Sequence, residues 1–182
     1  DGPVYCRVLR GSMPRLFDTP IVVGQMRELS LGADVLIVTA GITTEEAMRA
    51  TKALEASGVS VRHLHLNTIK PFNAEAMLDH INSVKSGVIT LENHVTEGGI
   101  GSLVAEIMAD NGVGKKLKRL GLNDTYAHGG SRAYLMRYYG LDALALTQGV
   151  EDLLGQKLDI TEEDLAEARV DAVHSLAKAE GL

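Results

Sequence analysis

Residues 86–108 read SGVITLENHVTEGGIGSLVAEIM, and their order decides the fold. Val88–Leu91 is an apolar run with strand character. Glu92-Asn93-His94 forms a polar turn, Gly98-Gly99-Ile100-Gly101 a glycine cluster. From Gly98 to Asn111, Ile100, Leu103, Val104, Ile107 and Met108 recur at helical spacing. A strand running through a loop into an amphipathic helix is the building unit of a parallel α/β sheet.

The same alternation extends on both sides. Upstream, Pro3–Leu9 is a short apolar strand, Gly11–Pro20 a linker, and Ile21–Leu29 a further short strand. Ala33–Ala40 is continuously apolar, as expected of a strand covered on both faces. A helix follows Gly41, with a capping box of Thr43 and Glu46. Val59–Leu66 is the next strand, and Asn73 caps a helix that carries Met77, Leu78, Ile81 and Val84 inward. Downstream, Lys115–Leu122 alternates like an edge strand, and Ser131, Asp142 and Thr161 each start a helix. The last helix keeps its spacing through Leu165, Ala168, Ala172, Val173, Leu176 and Ala177. Repeated βα units imply a three-layer α/β/α sandwich.

Bulk properties narrow the functional classes. At 182 residues the chain suits one domain, and an apolar share of 45 % is enough to build a core. Aromatics make up only 4 %, so that core is aliphatic. A net charge of −6 without a basic run excludes nucleic acid as the main partner. The single cysteine, Cys6, lies in an apolar run, reads as a buried inert thiol and permits no disulfide framework. No apolar stretch approaches the ~18 residues that span a bilayer, and no signal peptide is visible, which points to a cytoplasmic protein. The opening Asp-Gly-Pro, without Met and leading directly into a strand, reads as something other than a natural start.

Each candidate site has a bland alternative. Gly98, Gly99 and Gly101 before a helix could cradle a phosphate on free N–H groups. A third fingerprint glycine and a Walker lysine are missing, and Glu92 and Glu97 add negative charge nearby, so a tight turn with close helix–sheet packing is favoured. His94 follows the carboxyl end of a strand, where α/β proteins keep chemistry; the alternative is a loop residue bonding across a subunit contact. His63 and His65 face one side of a strand without a third ligand, which favours structure over metal. The acids of Thr161–Asp164 read as helix-capping charge.

The segments ADVLIVTAG, VSVRHLHLNTIKPFN, VITLENHVTEGGIGSLVAE and YAHGGSRAYLMRYYGLDALALTQGVEDLL, over about residues 33–156, resemble the C-terminal domain of the transketolase family. That family includes transketolases, deoxyxylulose-phosphate synthases and the beta subunits of 2-oxo-acid dehydrogenases; the wording is closest to two-subunit transketolases. The resemblance implies a sheet of about five strands, mostly parallel with one antiparallel. It divides the chain into residues 1–20, the last strand of a pyrimidine-binding domain and a linker; residues 21–160, the C-terminal-like domain; and residues 161–182, a helical extension.

Several functional expectations come with the resemblance. Arg10, in the context Arg10-Gly11-Ser12-Met13-Pro14, matches a family arginine that helps hold substrate phosphate, for which a guanidinium fork is suited; the alternative is an interdomain ion pair. The complete enzyme would use thiamine diphosphate and Mg for two-carbon ketol transfer between phosphorylated sugars. This sequence has no GDG motif and does not include the region that carries the activating glutamate, so the chain alone is expected to be inactive and to bind neither cofactor nor metal. Its partners would be a thiamine diphosphate-binding N-terminal subunit or domain and a second copy of itself. Glu92, Asn93, His94, Gly98, Gly99 and Gly101 would lie at or near that twofold contact. Two alternatives remain open: a scaffold like a 2-oxo-acid dehydrogenase beta subunit that docks another protein, and a non-catalytic regulatory domain that binds a small molecule.

Overall fold

A computed structural model describes residues 2–9 and 15–168. The element order is β1 (Met26–Leu31), β2 (Val35–Ala40), α1 (Thr43–Ala56), β3 (Val61–Leu66), α2 (Ala74–Asn82), β4 (Gly87–Val95), α3 (Ile100–Asp110), β5 (Lys116–Leu122), α4 (Arg132–Tyr138), α5 (Ala143–Leu154) and α6 (Glu162–Glu167). One five-stranded sheet has the order β1-β3-β2-β4-β5. Only β1 is antiparallel, pairing with β3; the β3–β2, β2–β4 and β4–β5 pairs are parallel. The expected α/β/α sandwich is therefore present.

The period-two geometry of the strands sorts the core into two layers. Val35, Ile37, Val61, Ile89 and Leu91 point to one face and pack with α1 and α5. Leu36, Val38, Leu64, Leu66 and Val88 point to the other and pack with α2 and α3. The short α4 adds Met136 to the first layer. Lys115 closes the end of α2 from the start of the β5 segment, its Nζ donating to the carbonyls of Ile81 (2.7 Å), Asn82 (3.0 Å) and Val84 (2.6 Å). An ammonium with three donors suits carbonyls that have no intrahelical partner.

The local chemistry differs from expectation at several places. Pro3–Leu9 forms no strand: no ladder holds it among the described residues, and Val4, Tyr5 and Val8 are 89, 90 and 80 % exposed. Cys6 is exposed with it rather than buried. The strand expected over Ile21–Leu29 begins later, at Met26, because Gln25 N donates to Val22 O and the chain turns there. The capping box of α1 is absent. Thr43 Oγ1 instead donates to the carbonyls of Ala40 and Leu91, and Glu46 is engaged by Arg49 and the Ala143 amide. Finally, Glu92-Asn93-His94 belongs to β4 rather than to a loop. The caps of Asn73, Ser131, Asp142 and Thr161 form as expected, the last with Asp164 as a full capping box. The continuation of the final helix through Ala172, Val173, Leu176 and Ala177 lies outside the described residues.

A crevice and an internally capped helix at the carboxyl end of the sheet

The neighbouring parallel strands β2 and β4 feed helices on opposite faces of the sheet, α1 on one side and α3 on the other. Such a divergence opens a crevice at the carboxyl ends of the strands, the usual place for ligands in open α/β sheets. Gly41, the Glu92–Val95 end of β4 and the Gly98–Gly101 cluster all meet there. Six of the seven candidate residues thus converge; the seventh, Arg10, lies outside the described residues.

Period two puts Glu92 on the face of Val88 and Thr90, toward α3. The residue is 4 % exposed, and its carboxylate accepts from the amides of Ile100 and Gly101, each at 2.8 Å. The N-cap position of α3 is Gly99, which has no side chain to offer. A carboxylate from the sheet therefore caps the helix and meets the positive end of its dipole. The glycines make this contact possible. A Cβ on Gly99 would overlap Glu92 Oε2, and one on Gly101 would stand 2.8 Å from Thr90 Oγ1.

The remaining candidates surround this carboxylate. Between the paired positions Leu91↔Leu120 and Val95↔Leu122, three residues of β4 oppose the single residue Gly121. The strand bulges accordingly, and a Cβ on Gly121 would meet His94 O at 2.9 Å. Asn93 sits on the bulge, with its carbonyl accepting from Arg7 Nη2 at 3.2 Å. His94 is half-buried and donates from Nδ1 to the Val95 carbonyl at 2.9 Å. Gly98 N donates to Ser102 Oγ, which donates to Thr96 O, and Arg119 also donates to Thr96 O.

A diphosphate does not fit this glycine cluster. Glu92 already fills the anion seat at the helix start, and a second anion would meet that charge at contact distance. Among the described residues, no group of three or more His, Cys, Asp or Glu side chains is placed to hold a metal ion.

Sequence reasoning missed a polar chain under the same end of the sheet. Thr51 Oγ1 meets His63 Nδ1 at 3.4 Å, and His63 Nε2 meets Thr39 Oγ1 at 3.0 Å. Thr39 Oγ1 meets Thr44 Oγ1 at 3.0 Å, and Thr44 Oγ1 meets His65 Nδ1 at 2.8 Å. Burial, reinforced by His65, pushes the His63 value down to about 3; burial, reinforced by Arg27, pushes His65 down to about 4. Both rings are therefore neutral hydrogen-bonding groups, in keeping with a structural role. The available signal was the i, i+2 pair on β3 beside Thr39 on a parallel apolar strand. A second missed cluster gathers His128 with Tyr134 and Tyr139, whose hydroxyls lie 3.2 and 3.1 Å from its two ring nitrogens.

A cavity of about 340 Å³ lies apart from the crevice, between α1, α4, α5 and α6. Its charges are matched internally. Arg49 meets Glu46 at 3.1 Å, and Arg137 pairs with both Asp142 and Glu162. No helix among the described residues is long and apolar enough to cross a membrane.

The sheet order and the helices on both faces define an open, three-layer α/β domain with one antiparallel edge strand. The family "Transketolase, C-terminal domain" matches residues 24–146, and this chain belongs to it. A putative transketolase C-terminal section of Methanocaldococcus jannaschii is 35 % identical over 153 residues, covering 82 % of this chain and 47 % of that protein. A 6-deoxy-6-sulfo-D-fructose transketolase subunit of a Clostridium species is 34 % identical over 160 residues, covering 86 % and 49 %. A solved split-gene transketolase, described as an inactive beta4 tetramer, superposes with a TM-score of 0.73 at 31 % identity over 81 % of this chain and 48 % of its own. The chain spans about half the length of these relatives.

Proposed function

We propose that this chain is the C-terminal part of a thiamine diphosphate-dependent transketolase-type enzyme of the cytoplasm, which moves two-carbon ketol units between phosphorylated sugars. It supplies interdomain and subunit contacts, while cofactor and Mg are held by a partner subunit or domain. The observation that carries this reading is the family match over residues 24–146, on a domain in which the glycine-rich start of α3 is already filled by its own Glu92. One relative is named as a C-terminal section and another as a transketolase subunit, which supports a division of labour between two polypeptides or domains. Residues 1–20, read as the last strand of a pyrimidine-binding domain with its linker, would join the two; the 89–90 % exposure of Val4 and Tyr5 leaves apolar side chains of this segment open to contact with another unit.

The test is calorimetry of the isolated chain with thiamine diphosphate and Mg. No binding is expected, and micromolar binding would overturn the reading. Adding the partner that holds the cofactor should restore both binding and ketol transfer. We place the bulge of Asn93 and His94, with Glu92 and the Gly98, Gly99 and Gly101 turn, near a twofold contact between copies. Light scattering that finds a strict monomer at high concentration would contradict this. Arg10 is assigned to substrate phosphate. In the reconstituted enzyme Arg10→Ala should raise KM for phosphorylated sugars roughly ten- to a hundredfold, the loss of one charged hydrogen-bond pair, and leave unphosphorylated substrates nearly unchanged. Equal losses for both would make Arg10 structural.

A further inference from the structure

The polar chain of threonines and histidines ends under a single aromatic ring. Arg27 on β1 and His65 on β3 are directly paired across the antiparallel ladder, so both side chains leave the same face of the sheet. Phe17, from the strap that precedes β1, covers this pair. Its ring lies 5.3 Å from the His65 ring centroid, and the Arg27 guanidinium carbon stands 4.4 Å over it. Arg27 also holds the strap by its backbone, donating from Nη2 to the carbonyls of Thr19 and Pro20, each at 3.1 Å, and from Nη1 to Thr19 Oγ1. Within the strap, Arg15 donates to the carbonyls of Phe17 (3.0 Å) and Asp18 (3.3 Å). One side chain of the sheet edge therefore binds the strap through a cation–π contact and a forked set of hydrogen bonds. The neighbouring His65 ring is held from beneath by Thr44.

We infer that Phe17 is a latch that fastens the strap Arg15–Pro20 onto the Arg27–His65 pair, and that a proton taken up by His65 opens it. The charged and titratable groups facing His65 are Arg27 across the ladder and His63 two residues back on the same face; Arg15 and Asp18 of the strap lie 3.9 Å from each other. No carboxylate of the sheet or of α1 bonds to the ring among the described residues. An imidazolium would therefore face the Arg27 guanidinium without compensation, and the guanidinium is the group that grips Phe17. The sign follows from the lowered His65 value, about 4 with the latch closed, which rises toward the ordinary 6.5 as lifting Phe17 uncovers the ring. The open form binds more protons below pH 6.5, so opening becomes more favourable as pH falls from 6.5 to about 4, by up to about a hundredfold. On the reading of residues 1–20 as an interdomain connection, the latch makes the attachment of the preceding domain sensitive to protons. The latch itself stands without that reading.

The chain contains two phenylalanines, Phe17 on the strap and Phe72 packed against the α2–α3 core layer. Fluorine NMR of the chain labelled with 4-fluorophenylalanine therefore gives two signals, assigned with Phe72→Leu. At pH 7.5 the Phe17 signal should stand away from its free-peptide position, and it should move to that position between pH 6.5 and 4 while Phe72 holds still. His65→Gln, which keeps a polar partner for Thr44 but cannot charge, should abolish this movement. Arg27→Gln should displace Phe17 toward the free position already at pH 7.5, and it tests the latch even if His65→Gln fails to fold. A Phe17 signal at the free position at pH 7.5 would overturn the inference. So would movement only in step with Phe72, or an unchanged titration in His65→Gln.

Discussion

Replacing Glu92 tests the central element of the carboxyl-end crevice. Glu92 is 4 % exposed, and its carboxylate accepts hydrogen bonds from two amides of α3 at 2.8 Å, where the N-cap glycine offers nothing. Glu92→Ala removes a helix cap, typically about 1 kcal/mol. Here the cap consists of hydrogen bonds to two buried amides, so the loss lies above that value, at about 1–3 kcal/mol for each amide that water cannot reach. Because truncation vacates the place of the carboxylate, where water can enter, the lower end of that range applies, and the loss is about 2 kcal/mol. Glu92→Gln keeps one acceptor oxygen but turns an NH₂ group toward the other amide, so about half that loss is expected. Urea unfolding at fixed protein concentration should show a lower midpoint with an unchanged slope. Thermal unfolding should drop by about 4–8 °C for Ala, at 2–4 °C per kcal/mol for a chain of this size. Amide exchange in the first turn of α3 should accelerate in the same order. If Glu92→Ala unfolds within about 0.5 kcal/mol of the parent with unchanged α3 exchange, the helix is held by packing alone and the account of the glycine cluster is wrong.

Three further outcomes are expected. Above pH 6.5 His63 and His65 are neutral folded or unfolded. Between 6.5 and their folded values of about 3 and about 4 the unfolded chain binds more protons, so stability should fall as pH falls, at most by about 2.7 kcal/mol per unit; urea midpoints across that window should lose about half of this slope in His65→Gln, and a flat profile in the parent would refute it. Lys115→Met should cost about 2 kcal/mol through the three carbonyls it leaves at the end of α2, and an unchanged urea midpoint would make the contact incidental. Gly121→Ala should cost about 1–3 kcal/mol, because its Cβ meets His94 O at 2.9 Å, and a neutral result would show that the bulge yields freely.

Much of the fold was legible because burial imposes periodicity. The apolar run ADVLIVTA reads as a strand covered on both faces, and the spacing of Ile100, Val104, Ile107 and Met108 reads as a helix with one buried face. Caps at Asn73, Ser131, Asp142 and Thr161 were also readable, since each depends on one side chain and an amide three residues on. The box of Thr43 and Glu46 fits the same pattern and failed because stronger partners lie elsewhere in space. Leu91 O draws the Thr43 hydroxyl, and the Ala143 amide with Arg49 draws the Glu46 carboxylate.

What the sequence determined by itself was therefore local or periodic: the strand and helix types, the glycine cluster as a place of close packing, and the family resemblance that these segments carry in order. Tertiary structure decided whatever depends on pairing between distant segments. It set Glu92 rather than a ligand at the start of α3, through a strand pleat that no local rule links to residues 100 and 101. It bulged β4 opposite Gly121 and so turned an apparent loop into a strand end. It brought Thr39, Thr44, Thr51, His63 and His65 from three elements into one buried chain, and laid Phe17 across its outer end. Hydrogen bonds and ring contacts act over a few ångströms, so their partners become defined only once the chain has folded and distant residues are neighbours.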